Sequence, residues 1–416
     1  MQTNYKISEK ELGRVIRNKR IEKGWSAEKL GSLYGNAVRG YPVQQDAIYM
    51  IEEGHLPKNI KRRLVLAGLL GIPPLLLCPD LQAEADVSIP EHPLDRTEYT
   101  TALNAYWQKG YKGSPEHALN DLHERLQTLH NSVLYASAPQ KEQIKRLLCS
   151  YHVRRAYIAN ELGRASLALS HFHKAITLAT EEEFTDLHAM ALYRRGEFFF
   201  DRAELKHAEQ DLQAVLQLTR STSSSSNKTR KYAPPERIKG RALNILGLTQ
   251  VWKARNEAAF GQALKLIDES EKYIELDPGG DIYTIELTPQ FYLINRARAL
   301  VEVNNVKLQR STQAQDILDE LEQHQARKGK RIHNYERLNN IFILARSHFG
   351  KGYYPIATTL AQEALSLMEE MQSYIHLPVI KRLYEDLSST SYGKSDDVAA
   401  LGLQILFLEY AGMFQK

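Results

Sequence analysis

The sequence predicts an all-α protein, a small helix-turn-helix head followed by a long array of paired helices. Three observations predict it. Four short helices with recognisable start and stop signals crowd into the first 71 residues. A spacing of small and large residues then recurs along positions 97–416. The basic excess is confined to the head: residues 1–71 hold 13 Lys/Arg against 7 Asp/Glu, whereas the rest of the chain is close to neutral. A cationic head on a near-neutral body suits a polyanion partner.

The head begins with Ser8-Glu9-Lys10-Glu11, which reads as a capping box: the Ser8 hydroxyl and Glu11 carboxylate satisfy each other's backbone N–H groups and start a helix. Leu12, Val15, Ile16 and Lys19 form one stripe of it, and Gly24 ends it. Ser26 caps a second helix with Ala27, Leu30 and Leu33 inward and Gly35 as its expected end. Gly35, Asn36, Gly40 and Pro42 make a turn rich in breakers. A third helix is predicted from Val43 to Glu53, with Ala47, Ile48 and Ile51 inward and Gly54 as its cap, and a fourth from Asn59 to Leu70, closed by Gly71. Two consecutive short helices joined by a turn are the helix-turn-helix arrangement.

In order, Leu12-Gly13, Ile16-Arg17, Lys23-Gly24-Trp25-Ser26, Glu28-Lys29-Leu30, Ile51-Glu52-Glu53-Gly54 and Leu69-Leu70-Gly71-Ile72-Pro73 resemble the XRE family of phage-repressor-like DNA-binding domains, over about residues 8–77. Ala37 to Pro42 depart from it, making the turn before the third helix longer. The resemblance implies that the start of that helix enters the major groove of a double-stranded operator. Gln44 and Gln45 are then candidates for direct readout, since a Gln amide can bond an adenine edge with both its polar atoms. Tyr49 reads as a base or phosphate contact or as a partly packed ring. Arg39 in the long turn, Arg14 and Arg17 on the first helix, and Lys58 after the third are phosphate candidates, and each reads equally as a solvated surface residue. Glu52 is expected to fix the turn to Gly54 rather than to touch DNA.

Residues 78–95, rich in Pro and acidic side chains, read as a linker between a domain at 1–77 and one at 96–416. In the latter, Leu192-x3-Gly196-x2-Phe199-x8-Ala208-x3-Leu212-x2-Val215 places small residues where paired helices cross and large ones between. The pattern returns through His152, Ala156, Ala159, Ala168, Phe172 and Ala175, with Gly163 in the turn, and through Ile341, Ala345, His348, Ala357, Ala361 and Ala364. Weaker copies occupy about 238–278, 289–324 and 378–412, and Ser221 to Pro235 reads as a flexible insertion.

This spacing resembles tetratricopeptide repeats, which implies a solenoid whose first helices line a concave ligand face. The candidate ligand residues carried onto that face are Asn160, Tyr193, Glu197, Arg241, Asn244, Arg298, Asn339, Phe342 and Arg346, each of which reads alternatively as packing against the neighbouring repeat. Asn amides suit a peptide backbone and Arg suits a carboxylate. A helix-turn-helix head on such a body is similar to the RRNPP peptide-pheromone receptors of Gram-positive bacteria and their phage-encoded relatives. That similarity implies a homodimer placing two heads on a split operator, with a short quorum-sensing peptide changing their spacing. Docking of a protein partner without a small ligand, or an enzyme-modulating scaffold that has lost DNA binding, are the competing functions.

No cofactor, metal or enzyme chemistry is expected. There is no Gly-x4-Gly-Lys-Ser/Thr loop, and Gly350-Lys351-Gly352 reads as a turn. His171-x-His173 point about 200° apart on a helix, poor for one metal, and read as surface histidines. Cys78 and Cys149 read as small buried hydrophobes. The start at Met1 to Lys10 is polar and no long apolar run occurs, so a cytoplasmic protein without membrane contact is expected.

Overall fold

The structure, a computed structural model, describes residues 8–39, 41–77, 95–107, 115–136, 138–221, 232–274, 287–327 and 334–414. Among them the fold is all-helical, and the chain divides into two compact units, 1–91 and 92–416. Residues 78–94 of the expected linker, Cys78 among them, and residues 222–231 of the expected insertion lie outside the described residues. No helix among those described is long and apolar enough to cross a membrane.

The first unit holds α1 (Glu9–Glu22), α2 (Ala27–Arg39), α3 (Gln45–Glu52), α4 (Ile60–Leu70) and the short α5 (Pro74–Leu77). Both halves of the capping box at Ser8 and Glu11 are made. Ile16, Leu30, Ile48, Leu66 and Leu70 form the centre of the core. Gly35 does not end α2, which continues to Arg39. Any Cβ at Gly35 would stand 2.4 Å from the Val43 nitrogen and 2.5 Å from the Tyr41 carbonyl oxygen. Its role is to let the returning chain cross the helix closely, so Ala37, Val38 and Arg39 are helical and not turn. Two further expectations fail: Ala47 is exposed, and Leu33 is 37% exposed, because the apolar stripes of α2 and α3 are narrower than the sequence pattern suggests.

One ion pair ties α1 to α3. Arg20 Nε donates to Glu52 Oε1 at 2.5 Å and Nη2 to Oε2 at 3.0 Å, while Nη1 reaches the Trp25 carbonyl at 2.8 Å. Both side chains are buried. Glu52 therefore holds the end of α3 against α1 and the α1–α2 turn, which sets the direction in which the start of α3 points.

The second unit runs through α6 (Arg96–Trp107), α7 (Pro115–Tyr135), α8 (Ala138–Glu161), α9 (Ala165–Glu181), α10 (Thr185–Asp201), α11 (Leu205–Ser221), α12 (Glu236–Lys253), α13 (Glu257–Ser270), α14 (Pro289–Val301), α15 (Ser311–Arg327), α16 (Asn334–Gly350), α17 (Tyr354–Met371), α18 (Leu377–Ser388) and α19 (Asp396–Phe414). From α8 onward each even-numbered helix packs on the odd-numbered one that follows it. Each even-numbered helix also touches the next, so α8, α10, α12, α14, α16 and α18 form one layer. Close crossing within a pair demands a small residue: at Gly247 a Cβ would lie 2.5 Å from Ile267 Cγ1 and 2.9 Å from the Ala263 carbonyl oxygen. The turn after α8 uses Gly163 at φ +73°, a left-handed conformation that favours glycine.

Breaking the buried ion pair of the first unit leaves a charge without a partner, which costs about 3–5 kcal/mol. Glu52→Gln should therefore raise amide hydrogen exchange throughout α1 and α3 while leaving α8–α19 unchanged. Unaltered exchange in α1 would show that the pair does not hold this unit together.

Candidate DNA-binding and ligand-binding surfaces

On the first unit, α3 buries Ile48, Ile51 and Glu52 and turns the opposite side outward. Gln44 stands at the N-cap without a side-chain capping bond, so its amide is not consumed by the helix. Gln44 and Gln45 are exposed, as are Tyr49 at 46% and Met50 at 48%. Arg14 and Arg17 are exposed on α1, and Lys58 is exposed in the α3–α4 connection. Arg39 is the last residue of α2, and its side chain lies outside the described residues. The structure thus gives this unit a polar helix start with basic side chains on neighbouring elements.

The second unit carries its polar chemistry on the layer of even-numbered helices. Tyr193 and Glu197, one turn apart on α10, meet Arg241 of α12. Arg241 Nε donates to the Tyr193 hydroxyl at 2.7 Å and Nη2 to Glu197 Oε1 at 3.0 Å, while the Tyr193 hydroxyl donates to the same carboxylate. Arg194 Nη1 donates to Glu197 Oε2 at 2.8 Å. The Arg241 guanidinium also lies 3.5 Å from the centre of the Phe291 ring, a cation–π contact. Burial pushes the Glu197 carboxyl up, but Arg194 and Arg241 outweigh it and hold the group below the usual carboxylate range.

A second polar group joins α12, α14, α16 and α18. Arg298 Nε donates to Glu302 Oε1 at 2.7 Å, and the Trp252 indole N–H donates to Glu302 Oε2 at 2.8 Å. Arg346 Nη1 donates to Asp386 Oδ2 at 2.5 Å. Asp201, at the end of α10, feels both groups: burial pushes its carboxyl up to about 8 against the pull of Arg298, and Glu197 and Glu302 push the same way. At neutral pH it is mostly protonated. The Tyr335 hydroxyl of α16 donates to Glu161 Oε1 of α8 at 2.5 Å, across 174 residues.

The structure brings Tyr193, Glu197 and Arg241 together in one network and places Arg298 and Arg346 in the next. Phe342 is buried with its ring edge-on to His376 at 6.1 Å. Asn339 donates to the Tyr335 carbonyl at 3.0 Å, and Asn160 is buried. Asn244 takes the packing alternative. It is fully buried between α12, α13 and α14, donating to Ser270 Oγ at 3.1 Å and accepting from Asn295 Nδ2 at 2.7 Å. The sequence spacing located its helix but not the tilt that turns position 244 towards α13. Arg194, Asp201, Trp252, Glu302, Arg382 and Asp386 were not anticipated. Local signals existed for three of them: Glu302 four residues after Arg298, Arg194 three before Glu197, and Asp386 four after Arg382.

His171 is likewise not a surface residue. It is buried, with Nδ1 2.8 Å from His152 Nδ1, whereas His173 is exposed. Burial, then the neighbouring ring of His171, drives His152 down to about 2, and burial followed by Arg155 drives His171 down to about 3. Both rings are neutral near pH 7, which lets one donate to the other. Cys149 is a free, buried thiol accounted for by packing. No group of three or more metal-ligating side chains occurs among the described residues.

Compared with known proteins, the chain matches no family model and no curated sequence.

The burial of Asn244 changes what its removal should do. Asn244→Ala strands the Asn295 amide in the interior, and an unpaired buried polar group costs about 1–3 kcal/mol. The substitution should lower the melting temperature of the chain, as read by scanning calorimetry. An unchanged melting temperature would mean that position 244 lies at an accessible surface after all.

Proposed function

We propose that the chain is a DNA-binding transcriptional regulator of the helix-turn-helix type, whose solenoid-like body dimerises and senses a short signalling peptide, changing operator binding. The observation that carries the reading is α3. It is anchored from behind by Ile48, Ile51 and the Arg20–Glu52 pair, and it presents Gln44, Gln45 and Tyr49 outward from its first turn and a half. A rigidly held helix start with free amides is what base readout in a major groove needs, and exposed Arg14, Arg17 and Lys58 suit phosphates. For the body, the support is the layer of even-numbered helices, where guanidinium, carboxylate and aromatic groups alternate as peptide recognition requires.

A second reading, in which a protein partner docks on the body and no small ligand is used, is favoured by α19. There Leu403, Leu406 and Phe407 are 68%, 49% and 65% exposed on one helix. Large apolar side chains grouped on a surface mark protein contacts.

The DNA-binding claim is testable without knowing an operator. On a random-sequence duplex, affinity should fall steeply as salt rises, and Arg14→Ala, Arg17→Ala or Lys58→Ala should each lower the log–log slope by about 1. Gln45→Ala should leave binding to that duplex unchanged, because a base contact contributes little to non-specific affinity. Fluorescence anisotropy showing no salt-dependent binding would remove the DNA-binding reading.

A further inference from the structure

The geometry points to a carboxylate-binding position on the body, built on Arg382 where its guanidinium lies over the Trp252 indole. The inference rests on the reading of the body as a peptide sensor and specifies which part of the peptide is recognised and where.

Three guanidiniums, Arg298, Arg346 and Arg382, meet on α14, α16 and α18. Two carboxylates serve them, and both are taken: Glu302 by Arg298 and the Trp252 N–H, and Asp386 by Arg346. Arg382 makes its hydrogen bond and its ring contact to neutral groups, with Glu302 and Asp386 near enough to act on its charge but not bonded to it. Its Nη2 donates to the Asn304 side-chain oxygen, and its planar head sits 4.0 Å from the centre of the Trp252 ring. Asn304 is itself fixed, its Nδ2 donating to the Trp252 carbonyl at 2.5 Å. Arg298, Arg346 and Arg382 thus share two ion-paired carboxylates, Glu302 and Asp386. Stacking on an indole and one bond to an amide oxygen hold the fork in place without neutralising it, a pre-organised site for a planar anion.

The side chain is neither sealed nor freely solvated. Arg382 is half-buried, and burial followed by the neighbouring Arg346 pulls its pKa below the usual arginine value. A carboxylate arriving here relieves that repulsion and takes up the remaining fork donors. A peptide supplies such a group at its C-terminus, and a free small carboxylate supplies the same chemistry. Arg382 is absent from the repeat positions that the sequence pattern singles out, because its partner Trp252 lies on another helix pair.

The test uses the full-length chain carrying Trp25→Phe and Trp107→Phe, which leaves Trp252 as the single indole and as a reporter directly beneath the site. Its fluorescence is titrated at fixed ionic strength with a hexapeptide pool as free acids, with the same pool as C-terminal amides, and with sodium acetate against sodium chloride. The free-acid pool should perturb Trp252, and the amide pool should bind at least about tenfold more weakly, the loss of one charge-assisted interaction. Arg382→Gln should erase that preference, and Arg382→Lys, which keeps the charge but not the fork, should retain part of it. Equal responses to acids and amides, or a preference that survives Arg382→Gln, would overturn the assignment. If neither pool acts but acetate does, in an Arg382-dependent manner, the carboxylate site stands and the peptide-sensing reading falls. Silence from acetate and from both pools would overturn the site itself.

Discussion

Arg194, Arg241, Arg298, Arg346 and Arg382 are five of the buried or half-buried arginines on one layer of helices, and this part of the body is organised around the need to give them partners. A guanidinium cannot shed its charge as a buried carboxyl can, so each must be met by an anion, an oxygen acceptor or an aromatic face. Glu197 serves two arginines, Glu302 serves an arginine and an indole, and Asp386 serves a third guanidinium. Burial, reinforced by Glu197 and Glu302, pushes the Asp201 carboxyl up to about 8 against the pull of Arg298. The helix pairs supply the rigidity: because Gly247 and its counterparts let helices cross closely, neighbouring even-numbered helices are held near enough for side chains to bridge them.

This arrangement shapes the proposed sensor. Tyr193, Glu197, Arg241, Arg298 and Arg346 are already engaged with one another, so a ligand cannot simply fill vacant donors. It must exchange partners, replacing an internal contact with one of its own. Such an exchange links several helix pairs to a single binding event, and a ligand shifts an equilibrium only by its differential affinity for the two arrangements. Arg382 differs from the other four in meeting neutral partners, which makes it the place where an incoming anion disturbs least and gains most. The two buried histidines, His152 of α8 and His171 of α9, pair with each other and not with these five arginines.

Sequence and structure agree where the signal is local. The capping box at Ser8 and Glu11, the left-handed glycines at 24, 54, 71 and 163, and the alternation of paired helices were legible because each depends on residues a few positions apart. The exposure of Gln44, Gln45 and Tyr49 was legible too, since Ile48 and Ile51 fix which side of α3 faces inward. Legibility fails where packing decides between two uses of the same residue. Gly35 reads as a helix terminator, yet it is the point where the chain crosses α2. Asn244 reads as a ligand contact, yet it closes a buried amide network with Ser270 and Asn295. The contacts of Arg382 with Trp252, and of Tyr335 with Glu161, join residues far apart in the chain with no shared motif, so only the three-dimensional stacking of the pairs brings them together.

In the proposed function, two copies of the first unit, held by a dimeric body, read a specific duplex. Selection from a random duplex library by the full-length chain, followed by sequencing of the retained pool, tests it most directly. The expected result is enrichment of one motif present twice, in inverted copies whose centres are separated by about one helical turn, roughly 10 base pairs, or a multiple of it. A retained pool indistinguishable from the starting library would contradict the account.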